Sequence, residues 1–121
     1  FFKGGARDIG RAVSLELARL GADVVVNYGH AVEGARATVA EIETLGRRAV
    51  AVKADVTVPA EVRALADQAH EFGKGRIDIL VNNAGILTPR KPLVAVTDEE
   101  WRQSISVNLS AVFYCMREAL R

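Results

Sequence analysis

The sequence predicts an α/β domain in which a doubly wound parallel sheet carries helices on both faces. Short β-branched runs alternate with stretches of helical periodicity, and the runs are apolar on both faces at their centres, as buried parallel strands are. A glycine-rich turn near the start opens directly into the first helical pattern. Right-handed crossovers between such strands place helices on both sides of the sheet. We expect residues 1–121 to form one domain, incomplete at both ends.

Each predicted element has its own signal. The spacing of Ile9, Val13 and Leu17 indicates a first helix, and Gly21 marks its end. Thr97 and Glu100 have the spacing of a capping box, which predicts the start of the last helix. The expected strands are residues 1–3, 22–27, 48–56 and 77–81, and the helices between them end near Gly21, Gly46 and Gly73. The apolar face of the last helix consists of Trp101, Ile105, Leu109, Val112, Phe113 and Met116.

Residues that suit a nucleotide ligand follow all four predicted strands. In a doubly wound sheet, ligands bind outside the carboxyl ends of the strands. A glycine-rich turn that leads into a helix offers backbone N–H groups and a positive dipole end to a phosphate. Together these features predict a dinucleotide site. The strand ends carry, in order, the turn from Gly4 to Gly10, Asn27 with Tyr28, Asp55 with Val56, and the run Asn82-Asn83-Ala84-Gly85.

The glycine-rich turn and the Asn-Asn-Ala-Gly run resemble those of the short-chain dehydrogenase/reductase family, whose turn reads Thr-Gly-x-x-x-Gly-x-Gly. The resemblance covers nearly the whole chain and implies a Rossmann-like fold. It also implies an oxidoreductase that moves a hydride between a nicotinamide cofactor and a small carbonyl or alcohol substrate. By this resemblance Gly4, Arg7 and Ile9 lie along the cofactor's phosphates, Asp55 and Val56 meet the adenine, and Asn83, Ala84 and Gly85 pass the ribose on the nicotinamide side.

The charge at the end of the second strand predicts NADP rather than NAD. NAD sites usually place an acid there, about 20 residues after the turn, to hold the ribose 2′-hydroxyl. Tyr28 occupies that place, with neutral Asn27 before it, so no carboxylate repels a 2′-phosphate. Arg7 offers the phosphate a planar fork of donors. The alternative is that Arg7 is solvated and Tyr28 merely half-buried.

Asn108 is the candidate catalytic residue. It lies seven positions after Trp101, so we expect its amide on the apolar stripe of the last helix, where an unpartnered polar group costs about 1 to 3 kcal/mol. The family resemblance implies that this asparagine helps to hold a water in a proton relay to the catalytic lysine. The alternative is a structural asparagine bonded to nearby backbone.

The sequence departs from the family pattern in two respects. Asp8 stands in the cofactor turn at the family's second glycine, and Lys3 replaces its threonine; a carboxylate near the pyrophosphate predicts weaker binding. The family's catalytic Tyr-x-x-x-Lys pair is also missing, because neither Tyr28 nor Tyr114 precedes a lysine by four residues. We therefore expect the cofactor-binding half of a reductase, inactive by itself. The alternatives are a noncatalytic nucleotide-binding or regulatory module and a subunit-like fragment that needs a partner chain.

Composition excludes several other classes of protein. A net charge of +1, from 16 basic and 15 acidic residues, argues against nucleic-acid and membrane-surface partners. No apolar run is long enough to span a bilayer, and the single cysteine, Cys115, suits a reducing compartment, so we expect a cytoplasmic protein. His30 and His70 lack partners at recognisable spacing, and no metal site is predicted. The resemblance further implies a homo-oligomer that pairs through the helix containing Asn108.

Overall fold

The computed structural model describes the backbone of residues 2–3, 8–87 and 90–121, with side chains from residue 9 onward within these ranges. Its strands form one parallel sheet in the order β3-β2-β1-β4. The strands are β1 Phe2–Lys3, β2 Val24–Tyr28, β3 Ala49–Lys53 and β4 Val81–Asn82. The helices are α1 Asp8–Arg19, α2 Val32–Thr44, α3 Pro59–Phe72, α4 Asp98–Ile105 and α5 Ala111–Ala119, with a 3-10 turn at Leu93–Ala95 and a π turn at Ser106–Ser110 between α4 and α5.

Strand β2 is apolar on both faces because helices cover both sides of it. Val24 and Val26 belong to a cluster with residues of α1 and α2, whereas Val25 belongs to a cluster with residues of α3. Alternate side chains of a strand point to opposite faces, so α1 and α2 lie on one face and α3 on the other. This arrangement confirms the predicted doubly wound sheet. None of the helices in the described ranges is long and apolar enough to cross a bilayer.

Three strands differ in extent from the prediction. The second was expected at 22–27 and is Val24–Tyr28, the third was expected at 48–56 and is Ala49–Lys53, and the fourth was expected at 77–81 and is Val81–Asn82. The fourth strand is short because its partner is short: β4 pairs with β1, of which only Phe2–Lys3 is described. Residues 77–80 have the apolar pattern of a strand but no described ladder partner.

The face of α5 that packs against the core is not the apolar face predicted from the sequence. The predicted capping box is present, since the Thr97 hydroxyl accepts the Glu100 N–H and the Glu100 carboxylate accepts the Thr97 N–H. The residues of α5 that are buried are Ala111, Cys115 and Glu118. Ala111 and Cys115 pack in a cluster with Val56 and with Val62 of α3, and Glu118 is paired with Arg117 and Arg121. Much of the predicted stripe is exposed instead: Trp101, Leu109, Phe113 and Met116 are 62%, 62%, 53% and 44% exposed.

Asn27 is a buried polar residue that joins β2 to the end of β3. Its Nδ2 donates to the carbonyl oxygens of Val52 and Ala54, at 3.2 and 3.1 Å. We expect Asn27→Ala to lower the free energy of unfolding by about 1 to 3 kcal/mol, because both carbonyls lose a buried donor. Chemical denaturation measures the change, with exposed Gln68→Ala as the control, which should move it by less than about 0.5 kcal/mol. Equal effects of the two substitutions would show that the amide is not structural.

Candidate functional site

A cavity of about 840 Å³ lies along the carboxyl edge of the sheet, where the sequence predicts the nucleotide. Its walls come from segments that are distant in the chain and that the parallel sheet brings together. The residues that follow the strands, and those of the π turn, line it: Gly29, His30, Asp55, Val56, Ala84, Ile86, Ser106 and Val107. Of the predicted site residues, the structure therefore gathers Asn27, Asp55, Val56 and Ala84 around one space.

The end of β2 carries no carboxylate. Tyr28 is its last residue; the ring is half-buried against the cluster below α1 and α2, and its carbonyl accepts the Ala54 N–H at 3.0 Å. Gly29 and His30 follow it and line the cavity. The nearest charged residue on β3 is Lys53, which also lines the cavity and pairs in register with Tyr28. This part of the edge is neutral or basic, which suits an additional phosphate on the ribose.

Asn27 is placed differently from the role predicted for it in cofactor binding. Its side chain is only 2% exposed, and its amide nitrogen is engaged by the carbonyls of Val52 and Ala54. Asn27 borders the cavity, yet its donor group serves the sheet. A polar residue at the end of a run of buried valines finds its partners in the neighbouring strand, and sequence alone does not show which strand that is.

Asp55 and Val56 form a turn between β3 and α3. The Asp55 carboxylate accepts the N–H of Thr57 at 2.9 Å and its hydroxyl at 2.7 Å, and the Asp55 N–H donates to Glu61 at 2.7 Å. These bonds hold the turn in one conformation. Val56 is 9% exposed and packs in the cluster shared by α3 and α5, so it offers the cavity an apolar wall fixed by the core.

The loop after β4 is held by Asn108. The Asn108 Oδ1 accepts the Ile86 N–H at 2.9 Å, and its Nδ2 donates to the Ile86 carbonyl at 3.0 Å and to the Ser104 hydroxyl at 3.3 Å. Asn108 lies in the π turn with an exposed side chain, and its amide has the hydrogen-bond partners that we expect of a polar group in this helix. One partner, Ile86, lies 22 residues earlier in the chain, so Asn108 is a positioning residue for the loop.

The Asn-Asn-Ala-Gly run leaves β4 directly beneath this contact. Asn82 ends β4, Asn83 and Ala84 are half-buried, and Gly85 is exposed. A Cβ at Gly85 would lie 3.1 Å from the Asn108 Oδ1, so a larger residue would push on the contact with Ile86. The Oδ1 of Asn82 is buried and has no hydrogen-bond partner among the described residues.

The chain beyond the loop is tied to α4 by an ion pair. The Lys91 ammonium donates to the Glu100 carboxylate at 2.6 Å, and Glu100 also accepts the Thr97 N–H at 2.8 Å. Lys91, Ser104 and Ile86 did not stand out in the sequence as functional residues. Only Glu100 had a signal, as part of the capping box, because the other contacts join residues that are far apart in the chain.

The glycine-rich turn lies mostly outside the described residues. Gly4 and Arg7 belong to that part, as does the side chain of Asp8, whose backbone begins α1. Ile9 is 72% exposed at the start of the same helix. In residues 9–87 and 90–121, His, Cys, Asp and Glu form no group of three or more that could hold a metal ion.

Comparison with known proteins places this arrangement in a family. Residues 2–121 match the family described as short chain dehydrogenase. The chain belongs to the short chain dehydrogenase family. The relatives of this chain include the chloroplastic NADPH-dependent aldehyde reductase-like protein of Arabidopsis thaliana, which is 37% identical over 126 residues, covering 96% of this chain and 47% of that protein.

Solved structures of short chain dehydrogenases share the fold closely. A blue fluorescent protein from a metagenomic library, in complex with NADPH, has a TM-score of 0.90 at 40% identity and covers 99% of this chain and 49% of its own. A short chain dehydrogenase from Burkholderia cenocepacia, in complex with NADP, has a TM-score of 0.92 at 42% identity, covering 99% and 48%. The chain therefore spans about half the length of these relatives.

The described residues fit a dinucleotide of the kind that these relatives bind. The cavity of about 840 Å³ is as large as sites that enclose ligands of this size. No carboxylate ends β2, and the loop after β4 reaches the cavity at Ala84 and Ile86. The NADPH and NADP complexes among the solved relatives agree with the cofactor predicted from Tyr28 and its neighbours.

The ion pair between Lys91 and Glu100 makes the stability of the fold decrease at acidic pH. Hydrogen bonds from Lys91 and from the Thr97 N–H lower the pKa of Glu100 from 4.5 to about 2. A carboxyl group whose pKa is lower in the folded than in the unfolded state stabilises the fold at pH values above its unfolded pKa. This stabilisation is lost as the pH falls from about 4.5 towards 2. We expect the difference in Tm between the unaltered chain and Glu100→Gln to be largest near pH 6 and to shrink towards pH 3. A difference that stays constant over this range would contradict the ion pair's role.

Proposed function

We propose that this chain is the cofactor-binding half of an NADP-dependent oxidoreductase that transfers a hydride between the nicotinamide and a small carbonyl or alcohol substrate. The observation that carries the proposal is the cavity at the carboxyl edge, which Asn27 and Gly29 at the neutral end of β2 border on one side and the loop held by Asn108 on the other. The family membership and the relatives bound to NADPH and NADP support the same cofactor.

Each part of the edge has a task in this proposal. The fixed turn of Asp55 and Val56 presents a flat apolar surface for the adenine, and the glycine-rich turn with Arg7 and Ile9 meets the phosphates. Asn83, Ala84 and Gly85 pass the ribose on the nicotinamide side, on a loop whose position Asn108 sets through Ile86. The bound nicotinamide would supply or accept the hydride.

Proton transfer to the substrate needs residues that this chain does not contain in the family's arrangement. Its tyrosines are Tyr28 and Tyr114, and the residues four positions later are Val32 and Glu118. We infer that residues 1–121 bind the cofactor without reducing a carbonyl by themselves, and that activity belongs to a protein carrying a Tyr-x-x-x-Lys pair as well. The absence of the Tyr-x-x-x-Lys pair from residues 1–121 also favours a second candidate function, that of a noncatalytic NADP-binding module. A full-length protein without that pair would support this second candidate.

We also propose a cytoplasmic location, because the chain has a single cysteine. Cys115 is buried between α3 and α5, and there is no second cysteine with which it could form a disulfide within the chain. The core is therefore built without oxidation, as suits a reducing compartment. Resistance of the purified chain's Tm to excess reductant would support this proposal, and a large loss of Tm would oppose it.

Titration with NADPH and NADH tests the proposed function. We expect the unaltered chain to bind NADPH more tightly than NADH, and Tyr28→Asp to raise the NADPH dissociation constant by about tenfold or more while leaving that for NADH unchanged or lower, since a carboxylate repels the 2′-phosphate. Tyr28→Phe is the matched control, because it keeps the ring without adding charge, and should retain the preference. Binding of neither cofactor by the unaltered chain would refute the proposal.

Asn108→Ala tests the positioning role. Loss of the two bonds to Ile86, at about 0.5 to 1.5 kcal/mol each, should raise the dissociation constants of NADPH and NADH alike by about tenfold. Ser104→Ala removes only the third partner of the amide and should change them less than about twofold. A selective effect on NADPH alone, or equal effects of the two substitutions, would show that Asn108 does not act by holding the loop.

We further propose that the chain associates with a second copy through α4, the π turn and α5. Trp101, Leu109, Phe113 and Met116 expose large apolar side chains along this helical segment. Light scattering should give a dimer mass or larger, and the double substitution Trp101→Lys with Leu109→Lys should give the monomer mass. Leu45→Lys, at the end of α2, is the control; a monomeric unaltered chain would overturn the proposal.

A further inference from the structure

One face of α4 and the π turn forms a wall of the cavity at the carboxyl edge. Glu99, Gln103, Ser106 and Val107 line the cavity from this side. They lie at positions i, i+4, i+7 and i+8, which is the spacing of side chains that share one face of a helix. The helical segment therefore presents a row of side chains to the space in which the dinucleotide is proposed to bind.

This wall stands beside the surface proposed for the adenine. Val56 lines the cavity and packs in one cluster with Ala111 of α5. Val107 precedes Ala111 by about one helical turn, and Gln103 precedes Val107 by about one more. At about 1.5 Å of rise per residue, Gln103 lies about 6 Å beyond Val107 and about 12 Å from Ala111 along the segment. A purine that rests on Val56 and Val107 consequently directs an edge towards Gln103.

Gln103 differs from its charged neighbours on α4 in what it offers a base. The Nη1 of Arg102 donates to the Oε2 of Glu99 at 2.8 Å, so these two charges are directed at each other. Gln103 has an exposed side chain, and its carboxamide combines a donor and an acceptor in one plane without a charge. On the opposite wall, the Asp55 carboxylate accepts two hydrogen bonds from Thr57 within its own turn. The neutral carboxamide is therefore the group on this wall that matches an uncharged base edge.

We propose that Gln103 is a specificity-determining residue that selects adenine as the base of the dinucleotide. The inference rests on the proposed function, because that function places a base in the cavity. A glutamine carboxamide pairs with adenine through two hydrogen bonds: its oxygen accepts the N6 amino group, and its nitrogen donates to N7. Hypoxanthine has an oxygen at position 6 in place of the amino group. One of the two bonds is then lost, and two acceptor oxygens face each other.

Titration with NADPH and with its deaminated analogue, in which hypoxanthine replaces adenine, tests the proposal. We expect the unaltered chain to bind NADPH about tenfold more tightly than the analogue, and Gln103→Leu to bind the two within about twofold of each other. Gln68→Leu, on the exposed face of α3 and outside the cavity, is the matched control and should keep the tenfold preference. NADH and deaminated NADH should give the same ratios, because the base is read independently of the 2′-phosphate.

Two outcomes would overturn the role of Gln103 alone. The first is equal binding of the adenine and hypoxanthine forms by the unaltered chain. The second is a preference for adenine that Gln103→Leu retains, with or without an overall loss of affinity, which would assign the reading of the base to another residue. Both differ from failure of the proposed function, in which the unaltered chain binds none of the four dinucleotides. A chain that binds NADH and not NADPH would contradict the proposed choice of cofactor, and the NADH pair would then decide the role of Gln103.

Discussion

Strand β2 is buried on both faces, and the remaining elements are arranged around that constraint. Its valines alternate between the cluster beneath α1 and α2 and the cluster beneath α3, so neither layer of helices can be removed without exposing apolar strand. The one polar residue within the strand, Asn27, is tolerated because its amide bonds to the backbone of β3. Since every strand runs parallel to β2, the residues that follow the strands meet at a single edge.

The contact between Asn108 and Ile86 connects this sheet to the last helical segment. α4 and α5 flank a π turn, and the turn carries the asparagine that bonds both backbone groups of Ile86. A π turn inserts one residue into the helical ladder and so rotates the helix that comes after it. The buried face of α5 is accordingly built from Ala111, Cys115 and Glu118, while larger apolar residues lie outward. The π turn is thus linked both to the position of the loop at Ile86 and to the exposure of large apolar side chains on α5.

The two edges of the sheet differ in chemistry as well as in place. The carboxyl edge combines strand-end turns, polar side chains and the loop residues Ala84 and Ile86, which suits a ligand with phosphate, ribose and ring groups. The amino edge carries apolar side chains such as Val25 and Ile79 together with charged residues such as Asp23 and Arg47. The same parallel arrangement creates both, because it sends all starts to one side and all ends to the other.

The sequence by itself determined the fold class and the edge of the sheet at which the cavity lies, because those depend on local signals. Alternating hydrophobic periods, terminating glycines and the Thr97–Glu100 capping box set the order of elements, and the strand-end residues pointed to a dinucleotide. The tertiary structure alone decided the partners of Asn27 and Asn108, the pairing of Lys91 with Glu100, the exposed face of α5 and the length of β4. Each of these depends on a contact between residues far apart in the chain: a side chain's burial or a strand's extent is set by the residues that lie opposite it, and no local pattern carries that information.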